Sequence, residues 1–327
     1  FTRYFAQNFE RLVLRKLIST SYAPTTAAHA MQPTLFESES AQFDASKTTA
    51  NGKMFVLRRD NTGDGRIDVN DLEWDYMEGD GDFRSAEVTA LRDEADVIIT
   101  NPPFSLFREF LAWIVEADKK FVLIGNMNAI TYKEVFPLIM ADKMWLGNGF
   151  QSGNAYFRPL AEREYATGVY DETTKLVKFR NVVWFTNLDH GRRHQPLTLM
   201  TEADNKKYSK HKQVKGVGYQ KYDNYDAIEV PYTDSIPSDF TGVMGVPISF
   251  LNKYNPEQFE ILGMCENLDL YGLKTKVYSG AECRAAYEAK FGKRGVYDLN
   301  ASGVINRNGQ LEKVYQRILI RHKEVGR

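Results

Sequence analysis

The sequence is poor in cysteine and almost balanced in charge, and each of these facts argues against certain classes of protein. Its 327 residues contain only Cys265 and Cys283, which argues against a disulfide framework or a cysteine-rich metal site. The formal net charge is −1, so any contact with nucleic acid must come from local basic patches. No hydrophobic run reaches the length of a membrane span, and no signal peptide is visible. We therefore expect a soluble, cytoplasmic globular protein.

The most informative segment is a short apolar strand that ends in two prolines. A β-branched run at Asp96–Thr100 leads into Asn101-Pro-Pro-Phe104, and an amphipathic helix is predicted over Ser105–Asp118. In open α/β sheets, ligands bind at the carboxyl ends of parallel strands. The alternative is an ordinary turn with a buried Phe, because Asn and Pro are common in turns.

The residue types of this turn suit the binding of a planar amino group. Asn101 supplies a side-chain oxygen as an acceptor. Pro102 has no N–H, so its carbonyl can serve as a second acceptor, and Pro103 stiffens the same turn. Phe104 offers a flat face on which a base turned out of a duplex can stack. The segment therefore predicts an amino-methyltransferase.

On these and other segments the sequence resembles the EcoRI-type adenine-specific DNA methyltransferases. The segments that carry the resemblance are Gly79–Ser85, Thr100–Arg108, Ile124–Asn126, Ile130–Phe136, Trp184–His190, Gly242–Ile248 and Lys253–Glu260. The resemblance implies transfer of a methyl group from S-adenosylmethionine to the N6 amine of a flipped-out adenine in double-stranded DNA. It also implies a bacterial or phage-encoded cytoplasmic protein and a possible cognate restriction endonuclease for the same site. No heptad pattern is visible, so we expect a monomer.

The resemblance implies roles for the glycine-rich turn at Gly79–Ser85. Asp82 would accept a hydrogen bond from the adenine amine of S-adenosylmethionine, Phe83 would cover its ring, and Asp80 lies in the same turn. The alternative is a surface turn that caps the following helix. Relatives carry a strand and an acidic Asp-Pro turn upstream of a helix like the one that begins at Phe1. Nothing here matches that strand and turn, so we expect part of the cofactor site to be absent from this chain.

Strands that alternate with helices predict an α/β fold with a Rossmann-like methyltransferase sheet. We expect a catalytic domain over 1–188, with a mobile loop at about 22–52. A mixed α+β carboxyl-terminal region, 189–327, would recognise the DNA. Strands are expected over Leu176–Leu188 and Lys313–Ile320, and a helix over Thr131–Lys143.

Two basic segments after residue 188 are candidates for DNA contact. Arginine can read guanine and bind phosphate, and lysines interleaved with aromatic residues suit a nucleic-acid surface. The alternative for each segment is a solvated charged face. The candidate residues are Arg192, Arg193, Lys206, Lys207, Lys210 and Lys212.

Three further patterns in the sequence are weaker signals. Asp60–Asp71 has the spacing of an EF-hand loop, but it ends in Asp rather than Glu and follows a strand, so a polar turn is the alternative to calcium binding. Gly147–Gly153 lacks the third glycine of a dinucleotide loop and predicts a plain loop. The dipeptide Pro-Cys is absent, which argues against cytosine-C5 chemistry. Open alternatives are cytosine-N4, RNA or protein-glutamine methylation, and a non-catalytic DNA-binding relative.

Overall fold

The computed structural model describes residues 1–23, 40–149, 154–158 and 165–323. The chain forms two compact units, Phe1–Gly125 and Asn126–Arg327. The predicted boundary near Asp189 therefore falls inside the second unit. The rings of Phe136 and Tyr271, 5.5 Å apart, are among the contacts that join the segment before Asp189 to the residues after it.

The first unit contains an antiparallel sheet followed by a strand, a helix and a parallel strand. Its helices and strands are α1 (Thr2–Gln7), β1 (Leu17–Ser21), β2 (Lys53–Leu57), β3 (Glu73–Tyr76), α2 (Ala86–Glu94), β4 (Val97–Thr100), α3 (Phe107–Glu116) and β5 (Lys120–Asn126). Strands β1, β2 and β3 pair antiparallel in that order. Strands β4 and β5 are parallel, with Thr100 opposite Leu123. The residues that follow β4 therefore lie at the carboxyl edge of a parallel pair.

Local signals account for most boundaries in the first unit. Ser85 caps α2 by accepting a hydrogen bond from the Val88 N–H at 3.2 Å. The helix predicted to begin at Phe1 is α1, which ends at Gln7, and Val13 further on takes a φ of 54°. In the loop expected to be mobile, residues 40–52 form hydrogen-bonded turns; Asn51, for example, donates to the Met77 carbonyl at 2.8 Å. Residues 24–39 of that loop lie outside the described residues.

The second unit is richer in strands. Its helices and strands are α4 (Phe136–Met140), β6 (Trp145–Leu146), β7 (Asn154–Phe157), β8 (Tyr170–Asp171), β9 (Leu176–Arg180), β10 (Val182–Thr186), α5 (Glu202–Tyr208), β11 (Gln220–Lys221), β12 (Ala227–Glu229), β13 (Val243–Pro247), β14 (Phe259–Met264), α6 (Gly280–Phe291), β15 (Val304–Arg307), β16 (Gln310–Lys313) and β17 (Arg317–His322). A five-stranded sheet has the order β11-β12-β13-β17-β14, and β7, β9 and β8 form a separate ribbon. The buried side chains of Phe250 and Phe259 pack edge to face at 5.2 Å in its core.

Two predicted elements of the second unit are interrupted, whereas the strands expected over Leu176–Leu188 are present as β9 and β10. These two strands have different partners, and Asn181 takes a φ of 57° between them. The strand expected over Lys313–Ile320 breaks at Tyr315, which is 87% exposed, and β17 begins after it. The helix expected over Thr131–Lys143 is reduced to α4.

The fold is mixed α/β, which agrees with the fold class expected from the sequence. Strands β4 and β5 pair parallel, and so do β12 and β13. No helix among the described residues is long and apolar enough to cross a membrane.

Candidate active site

The turn Asn101–Phe104 connects β4 to α3 at the carboxyl end of the strand. Pro102 is buried, whereas Asn101 is exposed and Phe104 keeps 44% of its surface exposed. The Pro103 carbonyl accepts the Leu106 N–H at 2.9 Å and closes a single 3-10 turn that leads into α3. Within the described part of the chain, no residue hydrogen-bonds the Asn101 amide. The segment thus presents an amide and an aromatic face on a fixed backbone.

The glycine-rich turn Gly79–Ser85 is held against the first sheet by a close backbone approach. Gly81 has a φ of +83°, and a Cβ at this position would lie 2.5 Å from the Ser21 carbonyl oxygen. Only glycine fits such a position without displacing the neighbouring backbone. The Asp80 carboxylate accepts the Asp82 N–H at 3.0 Å and so orders the turn from within.

The Asp82 carboxylate, predicted to contact the cofactor, is paired with Arg84. Its Oδ1 atom accepts from the Arg84 backbone N–H at 2.8 Å and from Nε at 2.9 Å, and its Oδ2 atom accepts from Nη2 at 2.7 Å. The Arg84 side chain holds the pKa of Asp82 below its usual value. The same guanidinium reaches Glu109 on α3 at 3.3 Å. The turn is therefore tied to the helix that follows the Asn-Pro-Pro-Phe segment.

An aromatic cluster makes a second connection between this turn and α3. The ring of Phe83 lies 4.8 Å from that of Phe110 and 5.6 Å from that of Trp113. Arg92 of α2 stacks over Trp113 at 4.9 Å and donates to its carbonyl at 2.8 Å, while Thr89 accepts from the indole N–H. Sequence reasoning missed Trp113 and Arg92. The available signal was the spacing of aromatic residues at i and i+3 on one helix face.

The loop Asp60–Asp71 uses its carboxylates to hold its own backbone. The Asp60 side chain accepts the N–H groups of Gly63 and Gly65, and the Asp71 side chain accepts those of Asn61, Thr62 and Asp68. Hydrogen bonds from backbone N–H groups lower the pKa of Asp71 to about 2, and the Asp68 N–H has the largest effect. Among the described residues, no group of three acidic, His or Cys side chains could hold a metal ion. This arrangement favours the polar-turn alternative.

The structure separates the two arginines predicted to contact DNA. Arg193 is only 8% exposed, forms an ion pair with Asp142 and stacks over Trp145 at 3.8 Å. Its guanidinium therefore makes contacts within the second unit and is not available to DNA. Arg192 is exposed and, with Lys253, lines a cavity of about 310 Å³.

The predicted lysine cluster lies on the surface at the end of α5. Lys206, Lys207, Lys210 and Lys212 are all exposed. Lys207 stacks over Tyr208 at 4.9 Å, and Tyr208 itself is 59% exposed. Lys210 forms an ion pair with Asp234 at 2.8 Å, which reduces the positive charge available on this surface.

Comparison with known proteins identifies the family. The sequence matches the family described as "Adenine-specific methyltransferase EcoRI" over residues 1–323. The chain belongs to this family. It is 39% identical over 272 residues to the type II methyltransferase M.EcoRI of Escherichia coli, covering 82% of this chain and 76% of the relative.

Two mycoplasma relatives agree with this assignment. Identity is 29% over 331 residues to the type II methyltransferase M.MgeORF184P of Mycoplasma genitalium, covering 99% of this chain and 84% of the relative. It is 35% over 211 residues to M.MpnI of Mycoplasma pneumoniae, covering 62% of each chain. No solved structure gave a significant match. The resemblance drawn from the motifs is confirmed, and the chain is an adenine-specific DNA methyltransferase.

Proposed function

We propose that this methyltransferase holds the N6 amine of an adenine turned out of duplex DNA between the Asn101 side chain and the Pro102 carbonyl. The observation that supports this most directly is the exposed amide and half-exposed Phe104 ring at the carboxyl end of β4. The amine lone pair is delocalised into the base, so the amine must be oriented before it can attack a methyl group. Two fixed acceptors for its hydrogens provide that orientation.

Phe104 and the two prolines have complementary roles in this proposal. The Phe104 ring stacks on the extruded base and replaces part of the stacking that the base lost, which is worth about 1–3 kcal/mol per base. Pro102 and Pro103 fix two successive φ angles, so the acceptors do not need to reorganise as the base enters. The parallel β4 and β5 strands, joined by α3, would form part of a Rossmann-like sheet.

The residues of the glycine-rich turn fit a role in binding S-adenosylmethionine. The Asp82 Oδ2 atom accepts a single hydrogen bond from Arg84, so it retains capacity for an amine of the cofactor's adenine. Phe83 packs on α3 through its ring and would cover the same adenine, and Asp80 orders the turn. When bound, S-adenosylmethionine supplies a methyl group activated by its sulfonium.

Residues after Asp189 would supply most of the contacts that select the DNA site. Arg192 and the exposed Lys206, Lys207 and Lys212 are the better candidates, because Arg193 and Lys210 already have acidic partners. A monomer that acts on one strand at a time is proposed. The relatives are type II methyltransferases, so a restriction endonuclease that shares the site is the proposed functional counterpart.

The test is to incubate the protein with radiolabelled S-adenosylmethionine and unmethylated plasmid DNA, and then to identify the labelled nucleoside. Label in N6-methyladenine is expected. Label in N4-methylcytosine, RNA or protein would refute the adenine assignment of the site. DNA binding without transfer, and without saturable binding of S-adenosylmethionine, would favour a non-catalytic relative.

A further inference from the structure

The ribbon of β7, β9 and β8 exposes aromatic side chains that its own packing does not require. Tyr156 is 56% exposed, Phe157 47% and Phe179 48%. The rings of Phe157 and Phe179 contact each other edge to face at 5.4 Å. Exposed apolar side chains that cluster in this way commonly mark an interaction surface.

The register of the ribbon sorts its side chains onto two faces. Tyr156 lies opposite Lys178, while Phe157 lies opposite Val177 and Phe179 opposite Ala155. Successive residues of a strand point to opposite faces. One face therefore carries Phe157 and Phe179 beside the buried Ala155 and Val177, and the other carries Tyr156, Lys178 and the exposed Arg180.

The second face is cationic along the body of the ribbon. The Lys178 ammonium lies over the Tyr156 ring at 5.7 Å, and Arg180 is one strand pleat away from Lys178. The acidic residues of the ribbon lie at its turn, where Glu172 is ion-paired with Lys175 at 3.1 Å. The acidic end and the cationic body are thus separated, and the body complements a phosphate backbone in charge.

We propose that this ribbon is a DNA-contacting element, a role that rests on the proposed DNA methyltransferase function. Lys178 and Arg180, which share one face of the ribbon with Tyr156, bind backbone phosphates of duplex DNA. Interleaved cations and exposed aromatic rings are the side chains that nucleic-acid surfaces use.

The test compares three variants of the full chain with the unchanged protein. They are Lys178→Gln/Arg180→Gln, Phe157→Ser/Phe179→Ser, and the control Lys175→Gln, which removes an ion-paired cation at the turn. The dissociation constant for a mixed-sequence 30-base-pair duplex is measured by fluorescence anisotropy across a range of salt concentrations. Circular dichroism and thermal melting establish that each variant is folded.

Loss of two phosphate contacts should reduce the slope of log K against log salt by about 1.8. We expect this for Lys178→Gln/Arg180→Gln, together with roughly tenfold weaker binding at low salt. The phenylalanine variant should keep its affinity and slope, because its two side chains lie on the opposite face of the ribbon. The control should match the unchanged protein. A folded Lys178→Gln/Arg180→Gln variant with unchanged affinity and slope would overturn the proposal, as would an equal loss of affinity in the phenylalanine variant.

A parallel methylation assay separates this proposal from the proposed function. Asn101→Ala should lose transfer and keep its DNA affinity, whereas Lys178→Gln/Arg180→Gln should raise the KM for DNA and keep kcat. If the unchanged protein binds the duplex but labels no adenine, the proposed function fails while the salt slopes still decide the role of the ribbon. If the unchanged protein does not bind the duplex even at low salt, the ribbon proposal fails.

Discussion

Replacing Asn101 by Ala tests the assignment of the catalytic turn, because the structure predicts a large effect on rate and almost none on stability. The side chain is exposed, and no described residue hydrogen-bonds its amide. Substitution of such a surface residue changes the free energy of unfolding by about 0.5 kcal/mol or less. Loss of one preorganised polar contact at a reacting centre costs about 2.7–4 kcal/mol, or roughly a 10²–10³-fold decrease in kcat.

The matched control is Asn101→Asp, which keeps an acceptor oxygen of the same reach. We expect it to retain a rate within about tenfold of the unchanged protein, because the amine hydrogen still finds its acceptor. The assay is single-turnover transfer of label from S-adenosylmethionine to saturating plasmid DNA, with urea unfolding measured in parallel. A rate for Asn101→Ala above a tenth of the original would refute the reasoning. So would an Asp variant as slow as the Ala variant, or a large fall in stability.

Three further predictions concern stability and its pH dependence. Arg317→Met should lower the free energy of unfolding, measured by urea titration, by about 3–5 kcal/mol. The substitution leaves Glu229, which is 7% exposed, as a buried charge without its partner. Adding Glu229→Gln should recover part of the loss. Gly81→Ala should lower it by about 1–3 kcal/mol, since the φ of +83° strains any Cβ; an unchanged melting temperature would contradict this. The carboxylates of Asp189 and Glu257 flank the two ring nitrogens of His194 and raise its pKa above the usual 6.5. The protonated His194 should therefore stabilise the fold below pH 6.5, and this contribution should be lost as the pH rises through the raised pKa. Melting curves of His194→Gln should lack that part of the pH dependence.

The features that sequence reasoning predicted well depend on neighbours within about ten residues. The β-branched run of β4 and the stiff Pro102-Pro103 turn are local, and the structure places both within a residue or two of the expected position. The parallel pairing of β4 with β5 also follows from a strand, a helix and a strand in close succession. The family motifs were likewise recognisable as short segments.

The features that it did not predict depend on residues far apart in the chain. Arg193 is next to Arg192 in sequence, yet its burial depends on Asp142 and Trp145, about fifty residues earlier. Similarly, the predicted strand is interrupted at Tyr315, next to Val314, whose carbonyl accepts a hydrogen bond from the Ser302 hydroxyl. Periodicity within a short window contains no information about such partners.

The geometry of α3 explains how two short motifs can serve one reaction. The helix begins directly after the Asn101–Phe104 turn, and its side chains at Glu109, Phe110 and Trp113 hold the Asp82–Arg84 turn through an ion pair and ring contacts. A methyl donor bound at one turn and an amine bound at the other would thus be positioned by the same helix. Transfer requires the two reacting atoms to be aligned to within a few tenths of an ångström. The aromatic cluster on α3 is therefore expected to affect the rate of transfer, although none of its residues need contact the base.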